Sequence, residues 1–173
     1  MKTFLFSAIV TLLSISATAQ FTNATLQASG LTCSMCSKAV YKALTGVPFV
    51  EKVDVNLKTQ EYNLTFKNDA AVNFDALSKA VEDAGFSVSN LKVTANVAGV
   101  EVKKDEHLKI GNSYFHFLNA ANQTLNGTTT FSLVDQHFVS AKAFKKWSTA
   151  SKMECVQTGR METTGARIYH AVI

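Results

Sequence analysis

The two cysteines of the stretch GLTCSMC, residues 30–36, stand three positions apart, a spacing that suits three kinds of chemistry. Cys33 and Cys36 could bind a metal ion, exchange a disulfide with another protein, or form a disulfide with each other. Two thiolates in one loop suit a soft cation that accepts few ligands, such as Cu(I). A structural zinc site would need four ligands, and the surrounding residues add only the sulfur of Met35. Met35 is expected to pack under the loop rather than to bind the ion.

The pattern on either side of the pair predicts the elements that position it. The run ATLQAS before the pair alternates as a short strand does, and apolar residues recur at helical spacing from Ala39 to Leu44 after it. Cys33 is therefore expected in a loop and Cys36 in the first turn of a helix. There the unpaired backbone N–H groups and the positive end of the helix dipole favour thiolates over thiols. The pattern thus predicts a soft, anionic donor pair.

Along residues 24–93 the spacing of apolar residues changes between the alternation of strands and the three-to-four-residue spacing of helices. These changes predict a ferredoxin-like α+β unit. Two alternating runs after Pro48 predict a hairpin, and a second helical run that ends at Gly85 precedes a last strand, FSVSNLKV. The predicted order is β-α-β-β-α-β, which gives a four-stranded antiparallel sheet with both helices on one face. The alternating positions are Val53, Val55 and Leu57 in the first run and Tyr62, Leu64 and Phe66 in the second.

Residues 24–93 resemble the heavy-metal-associated domain family, through GLTCSMC, the helix after it, GVPFVEKVDVNL and AGFSV. That family includes copper chaperones, amino-terminal domains of copper-pumping P-type ATPases and periplasmic mercury-binding proteins. The resemblance implies that Cys33 and Cys36 bind the ion, with Cys33 the more exposed and the first to contact an exchange partner. Leu31 stands where the family usually has Met, and Phe86 where soluble bacterial members often have Tyr. These departures leave the branch of the family open.

The first 19 residues have the features of a secretory signal peptide. Lys2 supplies a positive charge, an apolar run follows, and residues 17–19, Ala-Thr-Ala, form a small-x-small cleavage pattern. The mature chain is expected to begin at Gln20 and to be periplasmic or secreted. The apolar run is too short for a comfortable membrane span, and no later stretch approaches the required length of about 20 apolar residues. We expect no membrane span once the signal peptide is removed.

Residues 95–173 are predicted to form a β-rich domain of unknown role after the metal domain of residues 20–94. They contain nine basic and six acidic side chains, whereas the first unit has seven of each. This charge is too mild to indicate nucleic acid, which export also disfavours. Alternating or aromatic runs and one helical run, FVSAKAFKKWSTA, predict three strands, a helix and two strands. That is the element order of a small five-stranded OB-type barrel.

Cys155 is an odd third cysteine, and two interpretations of it stay open. It could pack in the core as a small hydrophobic residue. If the last two runs instead form a hairpin about Glu162, Met153, Cys155 and His170 share one face of the sheet. Thioether, thiolate and imidazole would make a second Cu(I) site. The other three histidines show no ligand spacing, and solvated or strand-edge roles are expected for His107, His116 and His137.

The sequence contains no catalytic constellation, and we do not expect an enzyme. The favoured function is an exported carrier that binds a soft ion at Cys33 and Cys36 and transfers it by ligand exchange. Cu(I) is the expected ion, with Hg(II) or Zn(II) as alternatives, and the expected partner is a protein with exposed thiols, for example a P-type ATPase. Two alternatives remain: a periplasmic thiol-disulfide oxidoreductase, and a non-catalytic interaction module with a degenerate metal loop.

Overall fold

Alternating apolar residues in both halves of the chain form one eight-stranded sheet in a computed structural model that describes residues 20–173. The predicted signal peptide, residues 1–19, lies outside the described residues. In chain order the elements are β1 (Gln20–Ser29), α1 (Ser34–Thr45), β2 (Val50–Asn56), β3 (Glu61–Phe66), α2 (Phe74–Asp83), β4 (Ser87–Val102), β5 (His107–Ile110), β6 (Ser113–Phe117), β7 (Gln123–Leu133), α3 (Ala141–Trp147), α4 (Cys155–Thr158) and β8 (Ile168–Val172). The strand order across the sheet is β2-β3-β1-β4-β7-β8-β6-β5.

The first half has the predicted β-α-β-β-α-β arrangement. β1 pairs with β3 on one side and with β4 on the other, β2 pairs with β3, and all these pairs are antiparallel. α1 and α2 contact each other, and their residues Leu44 and Leu77 are fully buried in the same core as Leu26 of β1. Burying one such side chain contributes about 1.5–3 kcal/mol. The ferredoxin-like prediction for this half is confirmed.

Strand β4 continues from the first half of the chain into the second. It pairs with β1 through its first half and with β7 along most of its length, so that Leu91 lies between Leu26 of β1 and Leu133 of β7. The boundary predicted between residues 94 and 95 falls inside this strand. One sheet therefore carries both halves of the chain.

The predicted OB-type barrel is wrong, because the strands of residues 95–173 extend the open sheet of the first half. β6 and β8 are parallel, and β8 pairs antiparallel with β7. The run MECVQTG, residues 153–159, is the fourth of the five predicted strands, but its residues Cys155–Thr158 form α4 instead. Met153 and Glu154 precede this helix, and Gly159 ends it with φ 65°. Consequently no two-stranded hairpin forms about Glu162. Its two sides are joined by an isolated bridge between Arg160 and Arg167 and by a few turn hydrogen bonds, such as the one from the N–H of Gly165 to the carbonyl oxygen of Met161.

Side chains from both halves meet in a shared aromatic core. The ring of Phe115 in β6 lies 5.8 Å from that of Phe21 in β1 and 6.2 Å from that of Phe74 in α2, measured between centroids. Arg167, just before β8, donates from Nε and Nη2 to the two carboxylate oxygens of Asp75 in α2, at 2.9 and 3.1 Å.

Among residues 20–173, no helix is both long enough and apolar enough to cross a bilayer.

Candidate functional site

The thiols of Cys33 and Cys36 lie side by side where β1 gives way to α1. Their Sγ atoms are 2.7 Å apart, and both thiols are free. Cys33 is the extended N-cap residue of α1, with φ −152° and ψ 164°, and its Sγ accepts the backbone N–H of Cys36 at 3.3 Å. A Cys side chain thus fills the capping position that a Ser or Asp commonly takes. Cys33 is exposed and Cys36 is partly buried.

The surroundings of the pair favour a thiolate. The pKa of Cys36 is lowered, first by its hydrogen bond with Cys33 and then by the backbone of Thr32. Beneath the loop, the buried Tyr62 donates from its hydroxyl to the carbonyl oxygen of Ser37 at 3.2 Å, which ties the first turn of α1 to β3. The local structure therefore stabilises the anionic form that binds soft metals.

The geometry of the pair fits a metal ion after a small rearrangement. Metal–sulfur bonds of about 2.3 Å require the two sulfurs to separate from their present contact. Cys33 can turn outward because it is exposed, while Cys36 stays anchored in the first turn of α1. The expected packing of Met35 under the loop is wrong, because its side chain is 71% exposed. Leu31 and Phe86, both partly buried, pack against the core there instead.

The second predicted site, Met153, Cys155 and His170, is only partly brought together. Cys155 is the first residue of α4, and its Sγ lies 3.2 Å from Nε2 of His107 and 3.4 Å from Nδ1 of His116. These three donor atoms all lie within 4.8 Å of one another. Met153 packs against the small apolar cluster that contains Cys155, and His170 bonds elsewhere. The cluster of donors is therefore His107, His116 and Cys155.

Strand pairing places the histidines in a row. The β5–β6 turn at Gly111 and Asn112 sets His107 opposite His116, and the parallel pairing of β6 with β8 sets His116 beside His170. Residues opposite each other on neighbouring strands project from the same face. The ring centroids are 5.6 Å apart for His107 and His116, and 5.5 Å apart for His116 and His170. Cys155 reaches the same row from α4.

Carboxylates stand behind two of these rings. Nδ1–H of the buried His170 donates to Oδ1 of Asp135 at 2.7 Å, and its backbone N–H donates to the other oxygen at 3.0 Å. Nε2 of His116 lies 3.6 Å from Oδ1 of Asp105, which accepts the hydroxyl of Ser151 at 2.7 Å. Among the described residues, Nε2 of His116 and Nε2 of His170 have no hydrogen-bond partner. Each such buried group costs about 1–3 kcal/mol.

Burial keeps this second cluster uncharged. It lowers the pKa of His116 to about 4, with the neighbouring His170 and His107 as further causes. It also raises the pKa of Cys155 to about 11, and the charge of Glu162 adds to this. Cys155, His116 and Asp105 lie in the order of a nucleophile, a base and a carboxylate. A protonated thiol that is only 1% exposed is a poor nucleophile, however, so this arrangement does not suit covalent catalysis. Neutral imidazoles and a thiol that a metal can deprotonate are metal ligands.

The expectation of solvated or strand-edge roles is wrong for His116, which is fully buried, and His107 faces Cys155 from a half-buried position. A signal for both was present in the sequence. A two-residue turn at Gly111 and Asn112 pairs residues whose numbers add up to 223, which sets 107 against 116. His137 is exposed and lies 3.3 Å from Glu82, away from this cluster.

Known proteins match the part of the chain that holds Cys33 and Cys36. The heavy-metal-associated domain model matches residues 25–87. The mercuric transport protein periplasmic component of Pseudomonas fluorescens is 46% identical over 65 residues, which are 38% of this chain and 70% of that protein. A probable copper-exporting P-type ATPase of Archaeoglobus fulgidus is 33% identical over 64 residues, 37% of this chain and 8% of the ATPase.

A solved structure covers the same part of the chain. The crystal structure of oxidized MerP from Ralstonia metallidurans CH34 has 41% sequence identity and covers 41% of this chain and 94% of its own, with a TM-score of 0.36. The sequence identity to the mercuric transport components, over 70% of their length, confirms the resemblance inferred from the cysteine motif. The chain belongs to the heavy-metal-associated domain family.

Proposed function

We propose that this protein is an exported carrier of soft metal ions, with Cu(I) as the favoured cargo and Hg(II) or Zn(II) as alternatives. The observation that carries the proposal is the contact between two free thiols, Cys33 and Cys36, at the exposed start of α1. Membership of the heavy-metal-associated family supports it. Periplasmic location is supported by the names of the mercuric relatives and by the signal predicted for residues 1–19.

The exposure of Cys33 supports transfer by ligand exchange. A first thiolate of the partner binds the ion while Cys33 and Cys36 still hold it, and the bond to Cys33 then breaks. A second thiolate of the partner then binds, and the bond to Cys36 breaks. Each metal–sulfur bond lost is replaced by one to the partner, so no electron is transferred. The partner must carry exposed thiols, as a P-type ATPase with a domain of this family does. The proposed role is binding and transfer, without catalysis.

A titration of the reduced protein, expressed from Gln20 onward, tests this function. Cu(I) is added in competition with a chelator of known affinity, and the bound equivalents are counted for the wild type and for Cys33→Ser/Cys36→Ser. We expect the double substitution to remove one equivalent. Ser34→Ala, at the exposed first residue of α1 between the two cysteines, is the matched control and should bind as the wild type does. Equal stoichiometry in the wild type and the double variant would refute the carrier function.

The same protein distinguishes the carrier from a thiol-disulfide oxidoreductase. The reduction potential of Cys33 and Cys36 is measured against glutathione, and turnover of a disulfide substrate is followed in parallel. A carrier is expected to show no turnover of the disulfide substrate and a reduction potential far below that of its compartment. Turnover that is lost in Cys33→Ser, together with weak Cu(I) binding, would assign the pair to redox chemistry instead.

A further inference from the structure

The row of histidines across β5, β6 and β8 is not explained by the carrier function. Two strand pairings bring His107, His116 and His170 side by side, and the first residue of α4 adds the thiol of Cys155. In the strand order, β4, β7 and β8 lie between β1, which leads to Cys33 and Cys36, and β6, which carries His116. The row therefore belongs to a different part of the molecule from the cysteine pair.

The side chains in this row are arranged as metal ligands are. Nε2 of His107 and Nδ1 of His116 both face Sγ of Cys155, at 3.2 and 3.4 Å, and the three atoms lie within 4.8 Å of one another. In a tetrahedral site with bonds of about 2.3 Å to sulfur and about 2.0 Å to nitrogen, sulfur and nitrogen ligands lie about 3.5 Å apart, close to the separations seen here. We propose that His107, His116 and Cys155 form a second metal site, which binds a thiophilic d¹⁰ cation, Zn(II) or Cu(I).

The burial of His116 and His170 is itself unusual for histidines that only fill space in a core. Buried polar groups are normally hydrogen-bonded, yet Nε2 of His116 and Nε2 of His170 have no partner among the described residues. Both residues are buried, His116 being 0% and His170 2% exposed. A core that needed only to fill space would use apolar residues here, since imidazoles lose their water without compensation.

The carboxylates behind the rings match the outer shell of known metal sites. A histidine ligand usually donates its second ring N–H to a carboxylate, which fixes the orientation of the ring. Nε2 of His116, the nitrogen that faces away from Cys155, lies 3.6 Å from Asp105, and Ser151 holds that carboxylate in place. His170, whose ring centroid lies 5.5 Å from that of His116, is held by Asp135 through Nδ1.

The donor set decides the class of ion. One thiolate and two imidazoles suit Zn(II), which takes Cys and His in tetrahedral sites, and Cu(I), which accepts three soft or borderline ligands. Calcium and magnesium prefer oxygen ligands and are excluded by this set. His107 is only half-buried, so an ion can enter from the side of β5.

Metal binding to Cys33→Ser/Cys36→Ser tests the site without interference from the cysteine pair. The reduced variant is titrated with Zn(II) and, separately, with Cu(I) against a competing chelator, and with Co(II) as a spectroscopic substitute for Zn(II). We expect one equivalent of Zn(II) or Cu(I), and a thiolate-to-cobalt charge-transfer band that Zn(II) removes. The arm that binds more tightly identifies the ion.

Substitutions within this variant locate the ligands. His107→Gln, at a half-buried position, removes a proposed ligand and should weaken metal binding by more than about 100-fold. Asp105→Asn changes only a residue behind a ligand and should weaken it by about tenfold. Cys155→Ser should abolish the charge-transfer band. His137→Gln changes an exposed histidine of the same half and should bind normally. Circular dichroism verifies that each variant is folded.

Two results would overturn the second site. One is the absence of any bound Zn(II), Cu(I) or Co(II) in a folded Cys33→Ser/Cys36→Ser protein. The other is binding that His107→Gln and Cys155→Ser leave unchanged. Neither result depends on the carrier function, which is tested by the equivalent that the wild type loses when Cys33 and Cys36 are replaced.

Discussion

The exposed cysteine pair and the buried histidine–cysteine cluster use similar ligands in opposite environments. Cys33 and Cys36 sit at a helix start with few supporting contacts, so a partner's thiolate can reach an ion bound there. Cys155, the buried first residue of α4, lies beside the imidazoles of His107 and His116, so an ion bound there would be enclosed. The two proposed sites would therefore differ in how readily they exchange a bound ion.

Thiol labelling gives the largest expected contrast between the two regions. In the metal-free native protein, Cys155 should react with a thiol reagent about 1,000-fold more slowly than Cys33, because a 1% exposed side chain reacts only after a local opening that costs about 4 kcal/mol. Mass spectrometry of digested samples measures each rate. Similar rates for the two cysteines would show that the second region is open, and labelling in urea supplies the reference for full exposure.

Phe115→Ala should show that both regions belong to one cooperative fold. Phe115 is fully buried among aromatic rings from β1, α2, β7 and β8, so its truncation should lower the free energy of unfolding by about 3–5 kcal/mol. Urea unfolding is followed by the fluorescence of Trp147, the only tryptophan, and by labelling of Cys33. The two midpoints should fall together.

Phe144→Ala, in α3, is the matched control for that substitution. Phe144 is only partly buried, so its truncation should cost less. If Phe115→Ala shifts the Trp147 transition while Cys33 labelling keeps its original midpoint, the two halves unfold separately and the shared core does not couple them.

Arg167→Ala should loosen the buried region while leaving the cysteine pair unchanged. Arg167 bonds Asp75 of α2 through two nitrogens and also donates to the carbonyl oxygen of Gly159, which follows α4. Breaking a fully buried pair costs about 3–5 kcal/mol, and because the Arg167 side chain is 28% exposed we expect a loss of about 2 kcal/mol. Cys155 labelling should accelerate, and Cys33 labelling should not.

Two variants calibrate the Arg167 result. Arg167→Lys keeps the charge but cannot make the two-nitrogen contact, so it should lose part of the same stability. Lys79→Ala removes an exposed pair with Asp83 and should change the free energy of unfolding by less than about 0.5 kcal/mol. Equal losses for Arg167→Ala and Lys79→Ala would mean that the contact with Asp75 contributes nothing specific.

Met35→Ala should have the smallest effect. Met35 lies between the two cysteines in the sequence and is 71% exposed, and it is proposed neither as a ligand nor as part of the core. Cu(I) affinity at Cys33 and Cys36 should therefore change by less than about threefold. The chelator titration measures this directly, and a loss of tenfold or more would identify Met35 as a third ligand of the exposed site.

The first half of the fold could be predicted because its periods are long and clearly bounded. Alternation at Val53 and Tyr62, the helical spacing around Leu77 and the stop at Gly85 all correspond to elements of the structure. The placement of Cys36 in the first turn of α1 also followed from the sequence. These features are local, and local patterns determine them.

The second half depends on contacts that no local pattern encodes. The segment that begins at Cys155 alternates over too few residues to separate a strand from one turn of helix. The pairing of β4 with β7, and the parallel pairing that puts His170 beside His116, join residues far apart in the chain. Only the contact of His107 with His116 was local enough to infer, from the turn between β5 and β6.

The long strand β4 has a consequence for any attempt to use the first half alone. If the chain were cut after residue 94, β4 would become an edge strand. The N–H and C=O groups of residues 91–94, which now pair with β7, would then be exposed to water. An exposed edge strand can pair with a strand of another chain. In the whole protein, β7 covers this edge of β4. The metal domain alone should therefore dimerise or precipitate at concentrations where the whole protein stays in solution.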